Sequence, residues 1–546
     1  LCRKIIEAHF MSDATVRKIN ALSLKEMLHD GAEIAILDTR EEGIFSERHL
    51  LLASSLPLSH VETRVATLVP RRSTRIIVCD SGEGQAVRAA MRLEELGYTD
   101  VSVLEGGIHA WGVEGFELYS GVNVPSKAFG EFIEHEENTP RMTALEINDL
   151  RGKGADLIIL DSRPIDEFQR MSIPGAIDCP GAELAFRVHG LVPSKNTLVV
   201  VNCAGRTRSI IGAQSLINAG IPNKVVALKD GTMGWHLAGL ELEHGQNRCA
   251  PTPKGEALKR AKKGAEHVAK RFGIKSIGHD ELKTFWAEME TRSLFLLDVR
   301  DPNEFTNGHL ANSRSAPGGQ LIQATDTFIG VRNSRIVLID DHGVRARLTA
   351  SWLIQMGWED VFVLNCAFDG QKLETGQHTP QAQGLAAAHA ASITAENLAP
   401  LLLDRSVVVI DLASSLTYRK AHVPGAWFAV RANLPGNLRK VPAEGRLVFT
   451  SPEGTLARFA ASEMAGILGR EVSYLEGGTT NWIQAGMPFE KGEERLADKT
   501  NDVSYKAYDH TTNIEDRMKA YLDWEVALVE QISRDNDAMF CAFPHT

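Results

Sequence analysis

The sequence predicts an α/β protein of four tandem domains, each a parallel sheet flanked by helices, followed by a helical C-terminal tail. Three recurrences carry this. An apolar run ending in aspartate appears as AILDTR (35–40), IILDSR (158–163), FLLDVR (295–300) and VVIDLA (408–413). A second run follows each as RIIVCD, LVVVNC, RIVLID or RLVFTS, so that Asp38, Asp161, Asp298 and Asp411 lie 40 to 42 residues before Cys79, Cys203, Asp340 and Ser451. A third group, VSVLEGGIHAW, VVALKDGTMGW, VFVLNCAFDG and VSYLEGGTTNW, closes each copy. A repeat of roughly a hundred residues is too long for a solenoid unit and large enough to bury its own core.

Within each copy, short Val- and Ile-rich runs alternate with helix-length segments such as 84–98. Continuous apolar runs suit strands buried on both faces, and the alternation implies a parallel sheet covered by helices. The expected boundaries are 20–121, 140–246, 276–378 and 390–492. Residues 247–275 read as a basic, solvated helical linker that divides the chain into a 1+2 half and a 3+4 half. Residues 493–546 form the tail, in which MKAYLDWEVALVEQI (518–532) has the amphipathic pattern of a helix packing back on a domain or a partner subunit.

Composition narrows the function. The 546 residues are 43% hydrophobic and 24% charged, the balance of a globular protein. A net charge of −11 spread along the chain argues against nucleic acid or an anionic membrane as partner. No run of about 18 apolar residues suggests a membrane span, and the N-terminus lacks the apolar core of a secretory signal. The chain opens on Leu1, with Met11 the candidate initiator. Seven scattered cysteines with no CxxC pair and no zinc spacing read as free thiols in a reducing compartment, the cytoplasm. No metal or cofactor is expected.

The second copy contains LVVVNCAGRTRSIIGAQ (198–214). A buried strand ends at Asn202, Cys203 opens a loop, and a helix is expected near Ser209. Backbone N–H groups from Ala204 to Ser209 can turn inward as a nest, which favours an anion and hence a thiolate at its centre. Arg206 and Arg208 add positive charge for a sulfonate, sulfite or carboxylate. Cys203 is therefore the candidate nucleophile, and Ala204, Gly205, Arg206, Thr207, Arg208 and Ser209 are the candidate substrate-binding residues.

Across residues 20–490 the chain resembles the rhodanese superfamily. The motifs are the LDxR strand ends (Asp38 to Arg40, Asp161 to Arg163, Asp298 to Arg300), DEF (166–168) and NEF (303–305), IPGA (173–176) and VPGA (423–426), and the Gly-Gly-x-x-x-Trp ending. In that family a catalytic cysteine heads a six-residue loop, here Cys203–Arg208. The resemblance implies that Cys203 takes sulfane sulfur from a donor, holds it as a persulfide and passes it to an acceptor. Met171-Ser172 depart from the family's Gly-His before IPGA.

The other copies look degenerate. Asp340 cannot hold a persulfide and would fill the anion site, with Arg345 pairing to Asp340 or Asp341. Ser451 has neither a visible base nor a loop arginine. Cys79 opens CDSGEGQ, counted as one residue longer than the second copy's loop, and that length resembles dual-specificity phosphatases related to rhodanese. Gln85, however, stands where their loop needs arginine, and Asp80 and Glu83 would repel phosphate. Cys79 is thus a possible second nucleophile only. Trp111, Trp235 and Trp482 read as packing aromatics, Arg163 as an ion-pair former and Cys179 as a packing thiol rather than a resolving one. Arg187 is a weak donor contact, and His135 is a linker residue.

The expected function is sulfur transfer from thiosulfate or a related small anionic donor to cyanide, a thiol or a protein acceptor. The alternatives are a sulfur-carrier or docking scaffold, and a phosphatase or arsenate reductase acting at Cys79.

Overall fold

The computed structural model describes residues 16–377 and 382–544; Cys2 and Met11 lie outside them. Four five-stranded parallel sheets follow one another along the chain, each with its first strand at one edge and the order first-fifth-fourth-second-third. The central strands Ala-, Val- and Ile-rich in sequence are buried on both faces, for example Ile34–Asp38 and Val407–Asp411. In the third unit a two-stranded antiparallel ribbon, His309–Leu310 with Leu373–Glu374, is added.

Buried polar groups repeat with the fold. Arg40, Arg163 and Arg300 each form a two-pronged pair with the aspartate two residues earlier, and each donates at 2.7 Å to a backbone carbonyl eight residues on. The Trp111, Trp235 and Trp482 indoles donate to carbonyls of Glu117, Glu241 and Pro488, so these rings pack and cap rather than face a ligand. In three units a histidine stacks on an aromatic ring one helical turn earlier, at 3.9 Å between centroids (His49 on Phe45, His309 on Phe305, His422 on Tyr418). The second unit has Ser172 at this place and keeps only the backbone pairing, with Glu243.

Burial brings the His49 pKa down to about 4, against the Leu50 and Gly121 carbonyls that face its two ring nitrogens and favour the protonated form. Because the folded value lies below the ordinary 6.5, its contribution to stability is complete above that pH and is lost as pH falls through 4. His49 ring resonances are expected to stay those of a neutral imidazole at pH 5; titration at the ordinary value by NMR would contradict the burial argument.

The units do not divide into a 1+2 half and a 3+4 half. One apolar core runs through the first three, including Leu37, Phe129, Leu184, Leu216, Leu338 and Trp352. The third unit meets the second through Arg345–Glu183 at 2.9 Å and the Trp352 indole on Ser215. It meets the first where Ser293 donates to Glu33. The fourth meets the first through buried Arg431, which is paired with Glu62 at 2.7 Å. Helix Gly255–Arg271 is not a solvated linker: Ala261, Gly264, Ala265 and Val268 bury a stripe at helical spacing. Small residues make that stripe narrow, which is why charge dominates its sequence.

Among the described residues no helix is long and apolar enough to cross a membrane. The tail forms helix Ile514–Arg534, which lies along helix Val124–Glu137 and over the second unit.

Candidate active site

Strand register fixes which residues are equivalent. Asp38 pairs with Cys79, Asp161 with Asn202, Asp298 with Ile339 and Asp411 with Thr450. The residue after each is therefore Asp80, Cys203, Asp340 and Ser451. Two further features agree. The carbonyls of Asp80, Cys203 and Ser451 each accept from the N–H of Ile108, Thr232 and Thr479. A Cβ on Gly231, at φ +55°, would run into the Cys203 carbonyl, which explains the glycine in the closing motif.

Cys79 is thus not equivalent to Cys203; Asp80 is, and it lies as far before Gly97 as Cys203 lies before Gly220. Cys79 lies one residue earlier, inside the core, where burial and then Asp38 push its thiol well up. The length argument for a phosphatase at Cys79 falls with this register.

In the other three units the side chain at the equivalent position meets the loop's own N–H groups. The Asp80 carboxylate accepts from the N–H of Gly82 at 2.8 Å and of Ala86 at 3.0 Å. Asp340 accepts from Gly343, from Arg345 at 2.8 Å and from Ala346 at 3.3 Å. The Ser451 hydroxyl accepts from Ala457 at 3.2 Å. Three loops therefore close on a side-chain oxygen of their own, and two of those oxygens belong to carboxylates. In the second unit the side chain at this position is the Cys203 thiol, 2% exposed at the end of strand Leu198–Asn202. The helix starts at Thr207 rather than near Ser209; the N–H groups of Ser209 and Ile210 bond back to the Arg206 carbonyl, which leaves those of Thr207 and Arg208 at the open end of the helix.

The predicted binding residues divide by role. Arg206 turns away from an incoming ligand and into a buried cluster: Glu131 at 2.6 and 2.7 Å, Glu134 at 2.6 Å and Asp230 at 3.2 Å. It anchors the loop to helix Val124–Glu137. Thr207 donates to Glu525 at 3.1 Å and Ser209 to the Arg206 carbonyl at 2.7 Å, so both side chains shape the turn. Ala204 packs beneath the tail, and Gly205 touches it. Arg208 is the cation beside the thiol. It is gripped by Glu167 through two bonds, at 3.0 and 2.8 Å. Burial opposes its charge, but Glu167 and then Cys203 hold it firmly protonated. Burial likewise opposes the Glu167 charge, yet Arg208 brings that carboxyl down to about 2.

Asn202 donates to Asp161 at 2.7 Å and to Thr232 at 3.1 Å, fixing the strand end under Cys203. Cys179 is buried in the core and its thiol is pushed well up, first by burial. Arg187 is committed to Glu183 and the Ala250 carbonyl. His135 is exposed beside Glu136. Arg345 pairs with Asp341 at 2.7 Å as expected, and also with Glu183 and Glu304. Sequence reasoning missed Glu131, Glu167 and the tail residues Tyr508, Tyr521 and Glu525. Glu131 lies in an acidic helix with no motif marking a partner, whereas Glu167 sits inside the DEF motif, and the NEF glutamate Glu304 likewise pairs with the loop arginine Arg345, so that motif was a signal. The tail is separated from Cys203 by hundreds of residues.

Among the described residues no cluster of three or more His, Cys, Asp or Glu could hold a metal ion.

The model of the rhodanese-like domain matches residues 20–114, 143–238, 281–373 and 394–485. A crystal structure of a thiosulfate sulfurtransferase from Pseudomonas aeruginosa superposes with a TM-score of 0.93 and 45% identity, covering 97% of this chain and 100% of that one. A thiosulfate sulfurtransferase GlpE from Shewanella oneidensis is 30% identical over 81 residues, 14% of this chain and 76% of its own. An HTH-type transcriptional regulator, Rv0324 of Mycobacterium tuberculosis, is 33% identical over 106 residues; these are 19% of this chain, which spans 44% of that protein's length. With four matches that together take in most of its length, the chain belongs to the rhodanese-like domain family.

Proposed function

We propose that this protein is a thiosulfate sulfurtransferase whose second unit performs the chemistry through Cys203. The observation that carries this is the set of four equivalent loops, in which three close on their own oxygen and one presents a thiol. A persulfide anion on Cys203 would take the place that the Asp80 and Asp340 carboxylates fill elsewhere.

The thiolate attacks the outer sulfur of thiosulfate. A Cys203 S–S bond forms, the donor S–S bond breaks, and sulfite leaves with the electron pair. An acceptor such as cyanide then attacks the outer sulfur of the persulfide, giving thiocyanate and restoring the thiolate. Arg208, oriented by Glu167, supplies fixed positive charge for the anionic donor and leaving group, and the loop N–H groups stabilise the terminal sulfur. Glutathione-sized or protein thiols are the other acceptor class.

The test is transfer from thiosulfate to cyanide, followed as thiocyanate. Cys79→Ser protein is expected to retain wild-type turnover within about twofold, since its thiol lies in the core and outside the loop. Loss of turnover in a folded Cys79→Ser variant would move the chemistry to the first unit.

A further inference from the structure

The tail does more than finish the fold. It leaves the fourth unit at Asp502, which accepts from the Ser415 N–H, and at Tyr505, whose hydroxyl meets Ser415 and Arg419 at 3.0 Å each. It then crosses to the second unit. There Arg170 holds Asp509 at 2.9 Å and the Tyr508 carbonyl at 2.8 Å, with its guanidinium 4.4 Å from the Tyr508 ring centroid. Ala507, Met518 and Leu522 bury against Ala204 and Met233, with Tyr508 and Tyr521 packed at the edge. A Cβ added to Gly205 would lie 3.2 Å from the Tyr521 ring and 3.0 Å from Glu525. The Tyr521 hydroxyl, Thr207 and Lys127 all meet the buried Glu525 carboxylate. Tyr521 is within electrostatic range of both Cys203 and Arg208, and Tyr508 of Arg208.

We infer that residues 502–525 are a strap closing the sulfur-transfer site, with Tyr508 and Tyr521 as the residues that decide what reaches Cys203. This rests on Cys203 being the nucleophile. The thiol is 2% exposed, and the strap lies over Ala204 and Gly205 beside it, so a reactant of a few atoms, such as thiosulfate or cyanide, needs less of this cover to open than a larger one. A tripeptide thiol such as glutathione has to displace the strap first. Arg170 is the catch: half of its side chain is in solvent, and through its side chain it grips Tyr508 and Asp509.

Arg170→Ala and Tyr508→Ala variants of the full chain test this, the first loosening the strap from outside the site. The rate at which iodoacetamide alkylates Cys203, read by peptide mapping, is expected to rise about tenfold in both as local opening becomes easier. The ratio of kcat/KM for glutathione to that for cyanide is expected to rise with it. Wild-type alkylation rates and an unchanged ratio in both variants would overturn the strap. Faster alkylation in Arg170→Ala, in a protein that takes up no sulfur from thiosulfate, would overturn the Cys203 chemistry and leave the strap standing as an access barrier.

Discussion

Cys203→Ser protein is expected to fold normally and to lose thiosulfate:cyanide transfer by on the order of a thousandfold or more, because the proposed intermediate is a persulfide and a hydroxyl cannot carry it. The chain itself contains the control. Ser451 already stands at the equivalent position of the fourth unit, where its hydroxyl simply accepts from Ala457. The serine variant should therefore leave the second loop closed on its own oxygen, with the surrounding contacts of Arg206 and Arg208 intact. The same melting temperature with no turnover is the expected pair of results. Residual turnover within tenfold of wild type would mean that another residue accepts sulfur.

The second large effect is structural. Glu131→Gln removes the carboxylate that meets Arg206 through two buried bonds. Both side chains are almost fully buried, and breaking one partner of such a pair costs about 3–5 kcal/mol because the remaining charge is left desolvated. Glu134 and Asp230 retain part of the guanidinium's partnership, which places the expectation toward the lower end of that range. The variant is expected to lower the first thermal transition by several degrees and to reduce turnover, since Arg206 ties the Cys203 loop to helix Val124–Glu137. A transition at the wild-type temperature would show that Arg206 contributes nothing as an anchor.

Much of this molecule could be read from its residues, and the exceptions have physical causes. The strands declared themselves through continuous apolar runs, because strands buried on both faces have no polar alternation to hide them. The Cys203 loop was legible as a thiol followed by glycine, two arginines and a helix. The tail helix was legible from its apolar stripe, but its seat over Ala204 and Gly205 was not, because contacts across more than three hundred residues leave no local pattern. Arg206 looked like a ligand for the same reason: its partner Glu131 lies 75 residues away and carries no motif. The error at Cys79 was one of register. A cysteine near a strand end attracts attention, yet the 41-residue spacing from Asp38 to Cys79 equals that from Asp161 to Asn202, not to Cys203. Counting from the aspartate would have placed Asp80 in the loop.

The sharpest test of the account is the mass of the intact protein after incubation with thiosulfate, with peptide mapping of the product. Cys203 is predicted to gain one sulfur, about 32 Da, and to lose it again when cyanide is added. Sulfur on Cys79 instead, or no cyanide-reversible gain on the Cys203 peptide, would contradict the assignment of the chemistry to the second unit.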